Sequence, residues 1–283
     1  MPIARLILVV LVALAYGTTV YAVASGPPPL YWTVPLFVAL FTVVNSGVIV
    51  LDLGVFLDVV RACRPGRKQI ALTFDDGPHP VHTRRVLEML RAAGAKATFF
   101  MVGEKVERHP DVVAEVVRDG HEVGLHSQRH ARLLLFWPER VLAEDLQRNQ
   151  TAIEKACGVK PHLFRPPVGF SSPRLRTVVN QLKLTVIGWT ARAYDGVGRP
   201  SVEQVVRRLE PRLTDGAIVL LHDACENSDD APTSLDALGT LLADLRQRGL
   251  QAVTVSELMG ADAPRASSMV RTAVEPVTAI LPK

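Results

Sequence analysis

The amino-acid sequence predicts a parallel α/β domain, an open sheet or a barrel, preceded by two transmembrane helices. Three observations carry that expectation. Seven short β-rich runs alternate with six helical stretches from residue 69 onward. From Leu6 to Leu51 there are 46 consecutive residues without Asp, Glu, Lys, Arg or His. Polar, chemistry-bearing side chains collect where the β-rich runs end. Mean hydropathy is +0.20, and the apolar excess sits at the N-terminus. The first 60 residues carry only Arg5, Asp52 and Asp58, whereas the remaining 223 hold 31 Lys and Arg against 26 Asp and Glu. This distribution argues against a plain cytosolic enzyme, a disordered chain or a disulfide-stapled one. Cys63, Cys157 and Cys225 are odd in number and show no CxxC or other metal spacing, so they read as core or surface thiols.

The N-terminal 60 residues read as a membrane anchor. Its apolar runs, Leu6–Ala24 and Leu30–Leu51, hold 19 and 22 residues, and about 20 suffice to cross a bilayer as a helix. Ser25 to Pro29 supplies a tight turn, and Pro35 is tolerable in the first turns of the second span. Arg5 followed by an apolar run and Ala22-Val23-Ala24 also fits a cleaved signal peptide, but a second span follows at once. Asp52 to Asp58 is expected to leave the bilayer along its surface. Arg61, Arg64, Arg67 and Lys68 make 61–68 a basic linker. Positive charge at both outer flanks and none in the turn would place both ends, and the domain, in the cytoplasm.

The globular domain spans 69–260. Strands are expected at Gln69–Phe74, Ala97–Val102, His121–Leu125, His162–Arg165, Leu184–Trp189, Ala217–Leu221 and Gln251–Val255. Helices are expected near Val81–Ala93, Asp111–Arg118, Pro138–Cys157, Pro173–Gln181, Val202–Leu209 and Leu235–Arg248, with apolar residues at three- and four-residue spacing such as Val86, Leu87 and Leu90. Ser201 and Ser234 mark two helix starts. The tail 261–283, with Pro264, Pro276 and Pro282, reads as poorly ordered.

The first strand runs into Asp75-Asp76-Gly77-Pro78, and two adjacent carboxylates at a buried strand end demand a charged partner. The third ends in His126-Ser127-Gln128-Arg129-His130, whose two imidazoles at i, i+4 can meet at one metal. Later strands lead to Arg165-Pro166-Pro167-Val168-Gly169, to Asp195-Gly196 and to Leu220-Leu221-His222-Asp223. Such residues after successive strands occupy the place where parallel α/β barrels put catalytic groups.

Those motifs, in that order, resemble the polysaccharide deacetylase family, the NodB-homology group or family 4 carbohydrate esterases. The resemblance covers roughly Gln69 to Leu258. It implies a distorted, incomplete (β/α) barrel of about seven strands. It also implies a divalent metal, usually zinc, held by Asp76, His126 and His130. Asp75 would be the general base, oriented by Arg165. His222 would protonate the leaving amine, with Asp195 holding it cationic. The backbone N–H of Val168 would serve the oxyanion, and Leu220 would line the acyl-methyl pocket. Three positions depart from the family pattern: Val168 where an aromatic is common, Gly196 where Trp is frequent, and Leu125 where Asn is frequent. They bear on sugar and acyl preference, since every group the core reaction requires is present. His121 reads as structural, and His79, His82, His109 and His162 receive no role.

The expected function is a multi-pass protein of a bacterial-type cell membrane that removes N-acetyl groups from an amino-sugar glycan such as peptidoglycan or a chitin-like polymer. Its partners would be that N-acylated carbohydrate and membrane lipid, with no nucleic acid. The alternative substrate is a lipid-linked sugar, deacylated or deformylated at the membrane face. A silent carbohydrate-binding protein is the third reading, and it would be expected to have lost one of Asp75, Asp76, His126, His130 or His222.

Overall fold

The computed structural model describes residues 2–196, 199–226 and 228–260. The expected disorder of the tail 261–283 therefore lies outside the described residues. Helices α1 (Ile3–Ser25) and α2 (Leu30–Ile49) pack against each other, and both are long and apolar enough to cross a membrane. Strands β1 (Val59–Val60) and β2 (Gln69–Asp75) follow, then α3 (His82–Ala93), β3 (Thr98–Met101), α4 (Gly103–Arg108) and α5 (Pro110–Arg118). Next come β4 (Glu122–Leu125), α6 (Glu139–Cys157), β5 (Leu163–Phe164), α7 (Pro173–Gln181), β6 (Thr185–Ile187) and β7 (Ala191–Arg192). The chain continues with α8 (Val202–Leu209), β8 (Ile218–His222), α9 (Thr233–Gln247), β9 (Gln251–Val253) and α10 (Val255–Met259).

Among the described residues the strands form one parallel sheet in the order β1-β6-β5-β4-β3-β2-β8-β7, with β9 pairing on β2. Only Gly188 to Thr190 separate β6 from β7 along the chain, yet the two lie toward opposite ends of the order. A flat sheet cannot satisfy both facts, so the sheet curls into an incomplete barrel. This is the α/β architecture the sequence predicts.

Alternation along β2 sorts its side chains between two cores. Ile70, Leu72 and Phe74 join the cluster that also holds Val86, Leu90, Leu235 and Leu238 from α3 and α9. Ala71 points the other way, among Phe100, Leu163, Ile187 and Ile218. Thr73 and Asp75 share the parity of Ala71 and so face the barrel interior.

All seven expected strands are present, with ends shifted by a residue or two, β2 and β8 each running one residue farther, to Asp75 and His222. Gln251–Val255 stops at Val253 because Thr254 caps α10 in a reciprocal capping box with Glu257. Strands β1 and β7, two residues each, and helices α4 and α10, six and five residues, were too short for periodicity to reveal. Ser201 caps α8 as expected. Ser234 does not cap α9, which starts at Thr233 after Pro232; its hydroxyl instead donates to the His222 carbonyl at 2.7 Å.

The stretch expected to skirt the bilayer surface packs into the domain instead. Leu51, Val55, Phe56 and Leu57 are buried, and β1 pairs with β6, because these apolar side chains find the barrel wall. Farther on, the Cys63 N–H donates to the Gly216 carbonyl at 2.9 Å and the Gln69 N–H to Asp215 at 3.0 Å. The helix pair is docked as well. Arg5 donates to the carbonyls of Val55 (3.0 Å) and Gly54 (2.9 Å) and pairs with Asp58 (2.9 Å). Gly47 permits the close approach of Val55, since a Cβ there would meet the valine's at 2.7 Å.

Candidate active site

Asp75 ends β2 with its side chain 5% exposed, facing Arg165, which is wholly buried. The Arg165 Nη1 donates to Asp75 Oδ1 at 2.8 Å and to Thr73 Oγ1 at 2.7 Å. Its Nε and Nη2 donate to the carbonyls of Ile187 (3.2 Å) and Gly188 (3.0 Å), and the guanidinium lies 4.2 Å above the Phe100 ring. A buried guanidinium costs much desolvation, which draws its pKa down despite Asp75. The full set of acceptors offsets that cost and fixes the Asp75 carboxylate in one orientation.

Asp76 turns away through a left-handed backbone, φ 72. Its Oδ1 lies 3.1 Å from His130 Nε2 and 3.4 Å from His126 Nε2. That oxygen is buried and has no hydrogen-bond partner. The His126 Nδ1 lies 2.8 Å from the Arg165 carbonyl, which can only accept, so Nδ1 carries the proton and Nε2 is free to ligate. One carboxylate oxygen and two imidazole nitrogens, all within 4.8 Å of one another, could hold a divalent ion. Burial raises the Asp76 pKa, but the two histidines outweigh it and hold the carboxyl well below the usual range. Burial lowers and Asp76 raises His130, with a net rise.

The loop bearing both histidines is anchored by α6. Asp145 accepts from the Gln128 N–H (2.8 Å), and Asn149 accepts from the His126 N–H (3.1 Å) while donating to the Met101 carbonyl (3.1 Å). Across the cavity, His222 Nδ1 meets Asp195 Oδ1 at 2.9 Å, and the Asp195 carboxylate also accepts from the His222 N–H at 3.1 Å. Burial alone would lower the His222 pKa; the Asp195 charge and hydrogen bond, with Asp76 and Asp75 behind them, push it up to about 10. Asp195, despite burial that raises it, is held below its ordinary value by His222.

These groups surround a cavity of about 350 Å³. Asp75, Asp76, His126, His130, His222, Val168 and Leu220 line it, while Arg165 and Asp195 stand behind their partners. The structure thus brings together every residue to which the sequence assigns a catalytic, metal-holding or substrate-binding role. Seven non-glycine residues among those described have positive φ, and four of them, Asp76, His130, Val168 and Tyr194, line this one cavity. Such backbone costs roughly 1–3 kcal/mol per residue and persists where the surroundings over-determine it, which is typical of functional sites.

Several wall residues escaped sequence reasoning. Trp189, Arg192 and Tyr194 lie where the chain crosses from β6 through β7, and only Trp189 stood at the end of an expected strand. Glu226 carries no motif, yet it lies 3.2 Å from His130 Nδ1 and pairs with Arg132. Leu125 is buried in the core beside Leu142 and Phe164 and is not among the cavity's lining residues. Gly196 faces the His222 ring, and a Cβ there would meet Nε2 at 2.6 Å. Asp223, raised to about 7 by burial, accepts from Thr83 Oγ1 at 2.5 Å behind the site.

Residues 63–187 match the polysaccharide deacetylase family model. The chain is 36% identical over 193 residues to the peptidoglycan-N-acetylglucosamine deacetylase of Bacillus cereus, covering 68% of this chain and 88% of that one. The chain belongs to the polysaccharide deacetylase family. It is accordingly a hydrolase of the polysaccharide N-deacetylase type, acting on carbon–nitrogen bonds other than peptide bonds. A second relative within the family, the peptidoglycan-N-acetylmuramic acid deacetylase PdaC of Bacillus subtilis, is 36% identical over 194 residues, spanning 69% of this chain but 39% of PdaC. The solved structure of PdaC overlays with a TM-score of 0.62 at 35% identity, covering 69% of this chain and 91% of that one. A family pseudoenzyme from Bacillus anthracis overlays with a TM-score of 0.65 at 26% identity, covering 72% and 69% of the two chains. The polysaccharide deacetylase fold is therefore shared by proteins with and without activity, and the side chains of the cavity must carry the argument for chemistry.

Proposed function

We propose that this chain is a membrane-anchored, metal-dependent deacetylase that hydrolyses the N-acetyl groups of an amino-sugar glycan. The observation that carries the reading is the convergence on one cavity of the Arg165-held Asp75, the Asp76–His126–His130 group and the Asp195-held His222. The buried, partnerless Asp76 oxygen beside two ring nitrogens fits a zinc-type ion. Such an ion, when bound, polarises a carbonyl and acidifies water.

Asp75 acts as the base that takes the water's proton, its free oxygen Oδ2 lying 3.9 Å from His126 Nε2. Arg165 keeps the other oxygen occupied, so a single oxygen faces the reaction. His222 is cationic at neutral pH, with Nδ1 committed to Asp195, and it delivers its Nε2 proton to the departing amine. Protonation matters here because a sugar amide anion is too basic to leave. Val168 offers its backbone N–H as oxyanion donor, and Leu220 bounds the space for the acyl methyl.

The two N-terminal helices support an anchor, since apart from Arg5 they carry no charged side chain and they are largely exposed apart from their contacts with each other and the domain. The test is acetate release from N-acetylglucosamine oligomers by the full chain, before and after chelation. Activity that survives both thorough chelation and Asp75→Asn would overturn the reading.

A further inference from the structure

The turn that carries Val168 is fixed from two sides. Val168 (φ 61) and Gly169 (φ 75) are both left-handed. A β-branched residue in that region costs roughly 1–3 kcal/mol and stays there only while its flanks are held. The upstream flank is Pro166-Pro167, stiff because each ring locks its backbone. Its two carbonyls accept from the Gly169 N–H (3.0 Å) and the Phe170 N–H (3.3 Å). The downstream flank is Ser171, 2% exposed, and both of its donors go to the end of α2. The hydroxyl donates to the Gly47 carbonyl at 2.6 Å and the N–H to the Val48 carbonyl at 2.9 Å. The helix finishes at Ile49 and Val50 leaves helical geometry (φ −108, ψ 92), so those carbonyls lose the amides of a further turn. Ile49, Val50 and Leu51 accordingly share the wall of one groove with Val168, Gly169 and Phe170. The start of α1 reaches the same region more loosely. Arg5 pairs with Asp58, and Asp58 with Arg176 of α7 at 3.6 Å. Exposed ion pairs of that kind contribute little, which leaves Ser171 as the firm joint.

We infer that Ser171, held by the Gly47 and Val48 carbonyls, is the positioning residue for the Val168 N–H, so that turnover follows how α2 sits in its bilayer. Only Gly169 and Phe170 lie between the donor and the joint. With its 20 residues α2 is about 30 Å long, close to the thickness of a hydrocarbon core. A thinner or thicker bilayer tilts or strains a helix at a cost of fractions of a kcal/mol per Å. The end of α2 then shifts against the domain, and Ser171 shifts with it. A misplacement of about 1 Å near reacting atoms can cost roughly 10²-fold in rate. The loss falls on kcat, because an oxyanion donor acts in the transition state and not on the bound substrate. The inference rests on the deacetylase and membrane-anchor readings above.

The test uses the full chain in nanodiscs of zwitterionic lipid with short, medium and long acyl chains. Two readouts are taken in each. One is kcat and KM for acetate release from N-acetylglucosamine oligomers. The other is hydrogen exchange at the Gly169 and Phe170 amides, both bonded inside the turn. In the parent chain, kcat is expected to peak where the bilayer matches α2 and to fall roughly fivefold on either side. KM and zinc affinity should stay fixed while exchange at the two amides rises. Ser171→Ala is expected to lower kcat at least tenfold with KM and zinc affinity unchanged, and to flatten the dependence on thickness. Thermal melting shows whether that variant is folded, and the thickness series on the parent needs no variant. Parental kcat and exchange in folded Ser171→Ala, or a parent indifferent to thickness in both readouts, would each overturn the inference. A chain that does not enter the nanodiscs refutes the anchor reading, and the inference with it. Failure of the deacetylase reading looks different: no bilayer yields acetate, yet exchange at Gly169 and Phe170 still follows thickness.

Discussion

The Ser171 hydroxyl donates to the Gly47 carbonyl at 2.6 Å, and the Ser171 N–H donates to the Val48 carbonyl at 2.9 Å. The last carbonyls of a helix lack partners within it, so the loop that carries Val168 caps the end of α2. The helix pair thereby contributes to the shape of the candidate site. Ser171→Ala removes one of these bonds at a buried position and is expected to cost about 1–3 kcal/mol in denaturant unfolding. Acetate release should fall as well, with metal content unchanged.

Arg165 is fully buried and Asp75 is its anionic partner. Removing one member of a buried pair is far worse than never having it, by roughly 3–5 kcal/mol. Arg165→Met is therefore expected to destabilise strongly. Asp75→Asn leaves the buried Arg165 without its anion but keeps the shape and an acceptor oxygen, so it should destabilise less than Arg165→Met while losing the proton transfer, roughly 10²–10⁴-fold in rate. Paired unfolding and acetate-release measurements separate the two effects.

Glu226 touches His130 on the ring nitrogen opposite the one facing Asp76. Carboxylates in that position orient a ligating imidazole and raise its basicity, and their loss typically costs 10–100-fold in metal affinity. Glu226→Gln should weaken zinc binding by that factor in competition with a chromophoric chelator. Unchanged affinity would mean that Glu226 serves only Arg132.

Gly196 leaves room for the His222 ring, with 2.6 Å between a hypothetical Cβ and Nε2. Gly196→Ala must displace the imidazole proposed above to donate to the leaving amine. The expected result is a drop in kcat with zinc affinity intact, since Asp76, His126 and His130 are untouched. A kcat equal to the parent's would show that the ring has freedom to retreat.

How much of this was legible in the sequence depended on the length of the signal. Every expected strand formed, because parallel strands buried on both faces read as apolar runs such as Ile70 to Phe74. Asp75, His126, Arg165, Asp195 and His222 stood out because each follows such a run. The two-residue strands β1 and β7 are too short for any periodicity, and β7 carries Arg192 into the cavity wall. Asp145 and Asn149 carry no motif within α6, and only the fold reveals that they hold the histidine loop. Ser234 departs from its expected capping role for a related reason, since a serine near a helix start reads as a cap whatever its hydroxyl finally meets.

His121 supplies a pH dependence of stability that is independent of catalysis. Its Nδ1 accepts from the Ala97 N–H at 3.2 Å, which requires an unprotonated nitrogen. Burial, reinforced by Lys96, lowers its pKa from 6.5 to about 4. Between those values the unfolded chain binds a proton that the native chain does not, so stability falls as pH drops from 6.5 toward 4 and levels off below. At about 1.4 kcal/mol per pKa unit the full loss from this group lies between about 3 and 4 kcal/mol. Other carboxylates add their own slopes at lower pH, so the informative comparison is with His121→Asn, which cannot titrate. Urea midpoints measured for both proteins from pH 7 to pH 4 should converge as the pH falls. Parallel curves would show that His121 titrates alike in the folded and unfolded chains.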